Sequence, residues 1–73
     1  NPAVDQLNLQ FKEINKGSRF DLYDASGKLL ITKLINDYAM VIPFSKYETG
    51  VYLLSFISSE NKLLKTFKVQ KSY

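Results

Sequence analysis

Asp21 and Asp24 stand three residues apart, Glu48 lies alone further on, and Lys62, Lys65, Lys68 and Lys71 recur at every third position near the end of the chain. A close pair of carboxylates is the usual apparatus for general acid and base work, and several oxygen ligands within one loop are what calcium requires. Neither is assembled here. On a strand, residues three apart point to opposite faces, Glu48 has no acidic neighbour in sequence, and the turn residues beside the aspartates already give them a structural role. Histidine and cysteine are absent, which removes the commonest general base near neutral pH and the thiolate ligands of structural zinc. No catalytic residue, no metal site and no cofactor is expected, and the chain is not expected to be an enzyme.

The lysine series points to a different chemistry. The formal charge of +3 hides an asymmetry: residues 1–60 carry six basic and seven acidic side chains, whereas residues 61–73 carry four lysines and no acid. Lysines so spaced can follow a phosphate backbone, with Phe67 or Tyr73 stacking on bases, or offer a docking edge to an acidic partner. The plain structural alternative is a solvated edge strand whose lysines discourage pairing with other chains. The structural role and partner recognition are compatible. Nucleic acid is set aside, because basicity confined to one terminal stretch suits an address better than a broad phosphate-binding surface. Most of Phe20, Tyr23, Phe44, Phe56 and Phe67 are read as core. Tyr38, Tyr47 and Tyr73 are left without a packing role, and without tryptophan they make a weak sugar platform.

A chain of 73 residues holds one domain, spanning 1–73, and a domain this small buries only about 60% of the surface its unfolded chain exposes. Its stability falls in a range of roughly 4 to 11 kcal/mol. Loss of one large core side chain, at about 2 to 5 kcal/mol, therefore threatens the whole fold. No disulfide can supplement the core. No stretch approaches the roughly 20 apolar residues that span a bilayer, so stable membrane insertion is not expected.

Leu7, Leu9 and Phe11 alternate with Gln6, Asn8, Gln10 and Lys12, predicting a strand with one buried face. After a Lys16-Gly17-Ser18 turn, Arg19 to Tyr23 alternates again, with Phe20 and Leu22 inward. Asp24-Ala25-Ser26-Gly27 is a turn signal, the aspartate bonding backbone two residues on and the glycine free to take positive φ. Lys28 to Ile35 is nearly continuously apolar, as in a strand covered on both faces or a short helix, and the turns bracketing it favour a strand. Tyr38 to Ile42 follows, with Met40 and Ile42 on one face, and Pro43 ends ladder donation. Phe44 to Thr49 is a crossing loop. Val51 to Ile57 is the most β-prone stretch and is expected to be central, with Tyr52, Leu54 and Phe56 on one face. Ser58 to Asn61 turns the chain into Lys62 to Lys71, where Phe67 and Val69 are in phase for burial. Leu63, Leu64 and Phe67 also fit one face of a helix, but Thr66, Phe67, Val69 and the short connection favour a strand. The fold predicted is all-β: a small immunoglobulin-like antiparallel β-sandwich of six strands, or seven if the third region splits. Gly50 two residues before Tyr52 at a strand entrance is how Greek-key sandwiches close a corner, the tyrosine hydroxyl reaching back to the backbone a few residues upstream.

Four segments together resemble the type A C-terminal sorting domains of the bacterial type IX secretion system: Asn1-Pro2-Ala3 with Leu7 and Leu9, Leu22 to Lys28, Gly50-Val51-Tyr52-Leu53-Leu54, and the lysine-bearing Lys65 to Lys71. Thr49 departs from the proline that many relatives carry before the glycine. The resemblance implies a non-catalytic signal domain, covalently linked behind an N-terminal cargo that transits the periplasm and reaches the cell surface or is secreted. It further implies recognition by the translocon and by outer-membrane shuttle or sortase components, and removal by a surface sortase. The expected recognition residues are Gly50, Val51, Tyr52, Lys65, Lys68 and Lys71, with Asp24 and Gly27 as structural turn residues. The chain closes two residues past Lys71, as expected of a signal read at a free C-terminus. The alternative on the same fold is an immunoglobulin-like spacer or carbohydrate-binding accessory module of an extracellular enzyme.

Overall fold

Apolar residues at alternate positions become strands that bury one face, and the chain is built from little else. The computed structural model describes residues 2–3 and 5–72, which contain seven strands and, among the described residues, no helix. They are β1 (Pro2–Ala3), β2 (Gln6–Gln10), β3 (Arg19–Asp24), β4 (Leu29–Leu34), β5 (Ala39–Pro43), β6 (Gly50–Ile57) and β7 (Leu63–Lys71). One sheet has the order β1-β7-β6-β3-β4, and the other contains β2 and β5. All pairings are antiparallel except that of β1 with β7. This is the expected sandwich. Its seventh strand comes from Pro2–Ala3 rather than from a split of the third region.

The core lies between the two sheets. Phe20, Leu22, Ile42, Phe44 and Leu54 are its largest fully buried side chains, joined by Leu7, Ile35, Tyr52 and Val69. As its high β-propensity predicts, β6 is internal, flanked by β3 and β7, and as alternation predicts, Tyr52 and Leu54 are buried and Phe56 packs against the core.

Two expectations need correction. β4 is a strand, but it is the outermost of its sheet rather than covered on both faces, and Leu29 and Leu34 are about half exposed. Its nearly continuous apolar run misleads because Leu30 is extra at a bulge, so Tyr23 pairs with Leu29 while Leu22 pairs with Ile31. Phe67 is in phase with Val69 but remains 43% exposed, against 3% for Val69. Two strands cannot roof five, and the inner face of β7 toward Phe67 is left open.

On the outer face of the larger sheet, Thr32, Asp21, Ser55 and Thr66 stand side by side across β4, β3, β6 and β7. Asp21 is buried there. Its carboxylate accepts from the Thr32 hydroxyl, from Arg19 Nε at 3.3 Å and from the Tyr23 hydroxyl at 3.4 Å, while the Ser55 and Thr66 hydroxyls lie 3.2 Å apart. At one end of the sandwich Gly17 adopts φ +86°, and a Cβ at that position would come within 2.8 Å of the Ser59 Cβ. Only glycine lets the β2–β3 connection press so closely on the β6–β7 turn.

Candidate functional site

At the opposite end of the sandwich the chain makes a corner. Phe44 to Thr49 crosses from β5 in one sheet to β6 in the other, and Gly50 enters β6 at φ +150°, a region that side-chain-bearing residues rarely adopt. Two residues later the Tyr52 hydroxyl donates to the backbone carbonyl of Glu48. This is the tyrosine corner that the Gly-x-Tyr spacing predicts. The Tyr52 ring is buried against Phe44 and Tyr47, at centroid distances of 5.2 and 6.0 Å. Tyr47 thus has a packing role that its sequence context did not reveal, Tyr38 is exposed, and Tyr73 lies outside the described residues.

Lys71 completes the corner from below. It is 7% exposed, and its Nζ donates to the carbonyls of both Phe44 and Tyr47. These carbonyls have no ladder partner; that of Phe44 also accepts from the Tyr47 N–H at 3.0 Å, and the amine adds the donor that a sheet would otherwise supply. The expectation of four lysines along an exposed edge therefore fails for Lys71, which is a structural strut. Lys62, Lys65 and Lys68 are exposed. Lys65 Nζ lies 4.9 Å from the centre of the Phe67 ring.

Next to the corner is the turn that follows β3. Asp24 Oδ1 accepts from the backbone N–H of Ser26 at 2.9 Å and of Lys28 at 3.0 Å, and from the Ser26 hydroxyl at 2.6 Å. The Ser26 hydroxyl above all, then the Lys28 amide, holds the Asp24 carboxyl below the usual carboxylate range. Gly27 follows at φ +90°, so both residues serve the turn as the sequence predicts. This turn and the corner line a shallow depression that includes Asp24, Ser26, Lys46, Tyr47, Glu48 and Gly50. Among the described residues no group of three or more histidine, cysteine or acidic side chains is placed to hold a metal ion.

Strand pairing gathers these pieces. Asp24 is opposite Tyr52, Val51 opposite Gln70, Gly50 opposite Lys71, and β1 runs beside Gln70 and Lys71. One part of each of the four segments that were distant landmarks in the sequence, namely Pro2–Ala3, Asp24, Gly50–Tyr52 and Val69–Lys71, meets at one end of the molecule. The family model for the secretion system C-terminal sorting domain matches residues 1–70. The chain belongs to that family. Neither a curated protein nor a solved structure matches it significantly. As a sorting domain of type IX secretion, it acts with that secretion machinery and a linked N-terminal cargo bound for the cell surface or for release. Domains of this family are generally non-catalytic.

The corner is testable on its own. Tyr52→Phe deletes the part-buried hydrogen bond from the phenol to the Glu48 carbonyl, an expected loss of about 0.5 to 1.5 kcal/mol in urea unfolding. Burial, then the nearby Glu48 carboxylate, raises the Tyr52 phenol above its ordinary value. The folded chain therefore keeps this proton to higher pH than the unfolded chain does. The resulting contribution is intact below about pH 10 and is lost as pH rises beyond it. Wild-type stability should fall more steeply than that of Tyr52→Phe above about pH 10, and parallel pH profiles would remove the phenol from the account.

Proposed function

We propose that this domain is a folded, non-catalytic address whose readable surface is the corner end together with the exposed part of β7. Its cargo passes through the periplasm, the translocon and its outer-membrane shuttle or sortase components bind this surface, and a surface sortase then removes the domain. The observation that carries the reading is the meeting of Pro2–Ala3, Asp24, Gly50–Tyr52 and Val69–Lys71, one part of each of the four segments, at one end of a chain that the family model matches over residues 1–70.

Within that surface the candidate residues divide by role. Gly50 and Val51 shape the strand entrance, Tyr52 and Lys71 hold it from inside, and Lys65 and Lys68 present charge to solvent. A receptor with an acidic groove would gain both rate and orientation from such lysines.

The test joins residues 1–73 to a periplasmic fluorescent protein in a host carrying the type IX translocon and measures fluorescence at the cell surface. The wild-type domain should deliver its passenger, and deletion of Leu64 to Tyr73 should abolish delivery. Because that deletion also removes core, the double variant Lys65→Glu, Lys68→Glu is the sharper probe. Both side chains are exposed, so the fold should survive while delivery drops several-fold. Unchanged delivery by both variants would overturn the proposal.

A further inference from the structure

The two-stranded sheet stops short of β7, and what it leaves behind is shaped like a missing strand. Between β2 and β7 runs a cleft of about 490 Å³, walled by the whole of Leu7–Phe11 on one side and floored by Leu54, Phe56, Phe67 and Val69. At Phe11, Phe56 and Phe67 it continues into a second recess of about 310 Å³ that reaches Ile35, Leu64 and Lys65. Phe11 meets Phe56 edge to face at 5.8 Å, and Phe56 meets Phe67 in the same way at 5.8 Å. The floor is a continuous aromatic strip, open to solvent at Phe67.

The wall of the cleft is a strand edge with hydrogen-bonding capacity. Asp5 C=O accepts from Phe44 N–H at 2.7 Å, and Phe11 N–H donates to Tyr38 C=O at 2.8 Å. The odd-numbered residues of this segment thus turn their backbone groups toward β5. Alternation in an antiparallel ladder then turns those of Gln6, Asn8 and Gln10 toward the cleft, where no described strand pairs with them. The rim is basic, with Lys65 and Lys68 against the single acid Glu13.

We propose that this cleft accepts an extended segment of a partner protein in which apolar residues alternate with acidic ones. The segment pairs with the open edge of β2, making the smaller sheet three-stranded, and seats its apolar side chains on Phe56 and Phe67. Its carboxylates point away from the aromatic floor and lie in the positive field of Lys65 and Lys68 at the rim rather than in contact with them. Backbone pairing supplies affinity and the alternate side chains supply selectivity, the usual division in strand addition. A second copy of this chain is the poorer occupant, because its own exposed strand β7 would bring lysines against these lysines. The inference goes beyond the sorting function, since it concerns what the isolated domain binds whether or not delivery depends on it.

The probe is a synthetic heptapeptide, Glu-Val-Glu-Val-Thr-Val-Glu, titrated into the ¹⁵N-labelled 73-residue chain and followed by amide and aromatic chemical shifts. Saturable shifts are expected at Gln6, Asn8, Gln10, Phe56 and Phe67, with the lysine counterpart, Lys-Val-Lys-Val-Thr-Val-Lys, binding at least about tenfold more weakly. Asn8→Pro removes a donor aimed at the cleft and should weaken the acidic peptide about tenfold. Should that variant unfold, Phe67→Ala, which alters a half-exposed side chain, must show the same loss. Absence of saturation at millimolar peptide, shifts mapping instead to Leu29–Leu34, equal binding of the two peptides, or a dimer in sedimentation that buries the cleft would each overturn the proposal.

Discussion

Replacing Phe44 with alanine is expected to lower the thermal unfolding midpoint by about 15 to 30 °C. Phe44 is fully buried, and its ring packs on both Tyr47 and Tyr52. Truncating a phenylalanine in such a place costs about 3 to 5 kcal/mol, a large share of the roughly 4 to 11 kcal/mol a chain of this length can hold. The effect should exceed that of any single strand residue outside the core, because Phe44 also fixes the loop whose carbonyl Lys71 caps. Circular dichroism during heating measures it, with Tyr38→Ala, at an exposed position, as a control expected to change stability by less than about 0.5 kcal/mol. A shift below about 5 °C for Phe44→Ala would mean that the corner is not the keystone described above.

The second large effect is expected from Lys71→Met. The substitution keeps length and most of the volume of the side chain but leaves the Tyr47 carbonyl without this donor and the Phe44 carbonyl with the Tyr47 N–H alone. Orphaning one such carbonyl costs about 1 to 3 kcal/mol, so a loss of that size in urea unfolding is expected. Lys68→Met, on the exposed side of the same strand, should change stability by less than about 0.5 kcal/mol. Amine acylation gives an independent readout. Of the nine lysines, Lys71 alone is buried, and it should react last in the native chain. Equal stability of the two variants, or fast acylation of Lys71, would return this lysine to the exposed edge.

Lys71 also shows how far the sequence could be read. Wherever residues alternated cleanly, as at Leu7 to Phe11, Phe20 to Leu22 and Tyr52 to Phe56, strand and buried face were both legible, because period two is the geometry of a pleated strand. The tyrosine corner was legible because Gly50 and Tyr52 carry its two requirements, an unusual φ and a hydroxyl of the right reach. Lysines repeating every third residue read as one solvent-facing row, yet a period of three on a strand must split between faces. Lys71 shares parity with Val69 and so turns inward, whereas Lys68 turns out opposite the exposed Leu53. That signal was present in the sequence. What was not present is the partner of Lys71, because loop carbonyls carry no residue-specific signature. Sheet sizes were equally hidden, since no local pattern tells that β2 and β5 face five strands, and Phe67 therefore read as core. Asp21 read as a turn-flanking acid, but its burial depends on Arg19, Tyr23 and Thr32, two of which are its neighbours on the strand and one of which lies eleven residues away.

The row of Thr32, Asp21, Ser55 and Thr66 works as an alignment key. Hydrophobic alternation alone tolerates a slip of two residues between neighbouring strands, since the same faces stay buried. Here such a slip would separate Asp21 from the Thr32 hydroxyl and Ser55 from Thr66, leaving a carboxylate sequestered without that donor. A domain with no cross-link to impose its pairing thus has a chemical penalty for misalignment written across four strands. Mispaired forms are rejected on energy rather than by covalent restraint.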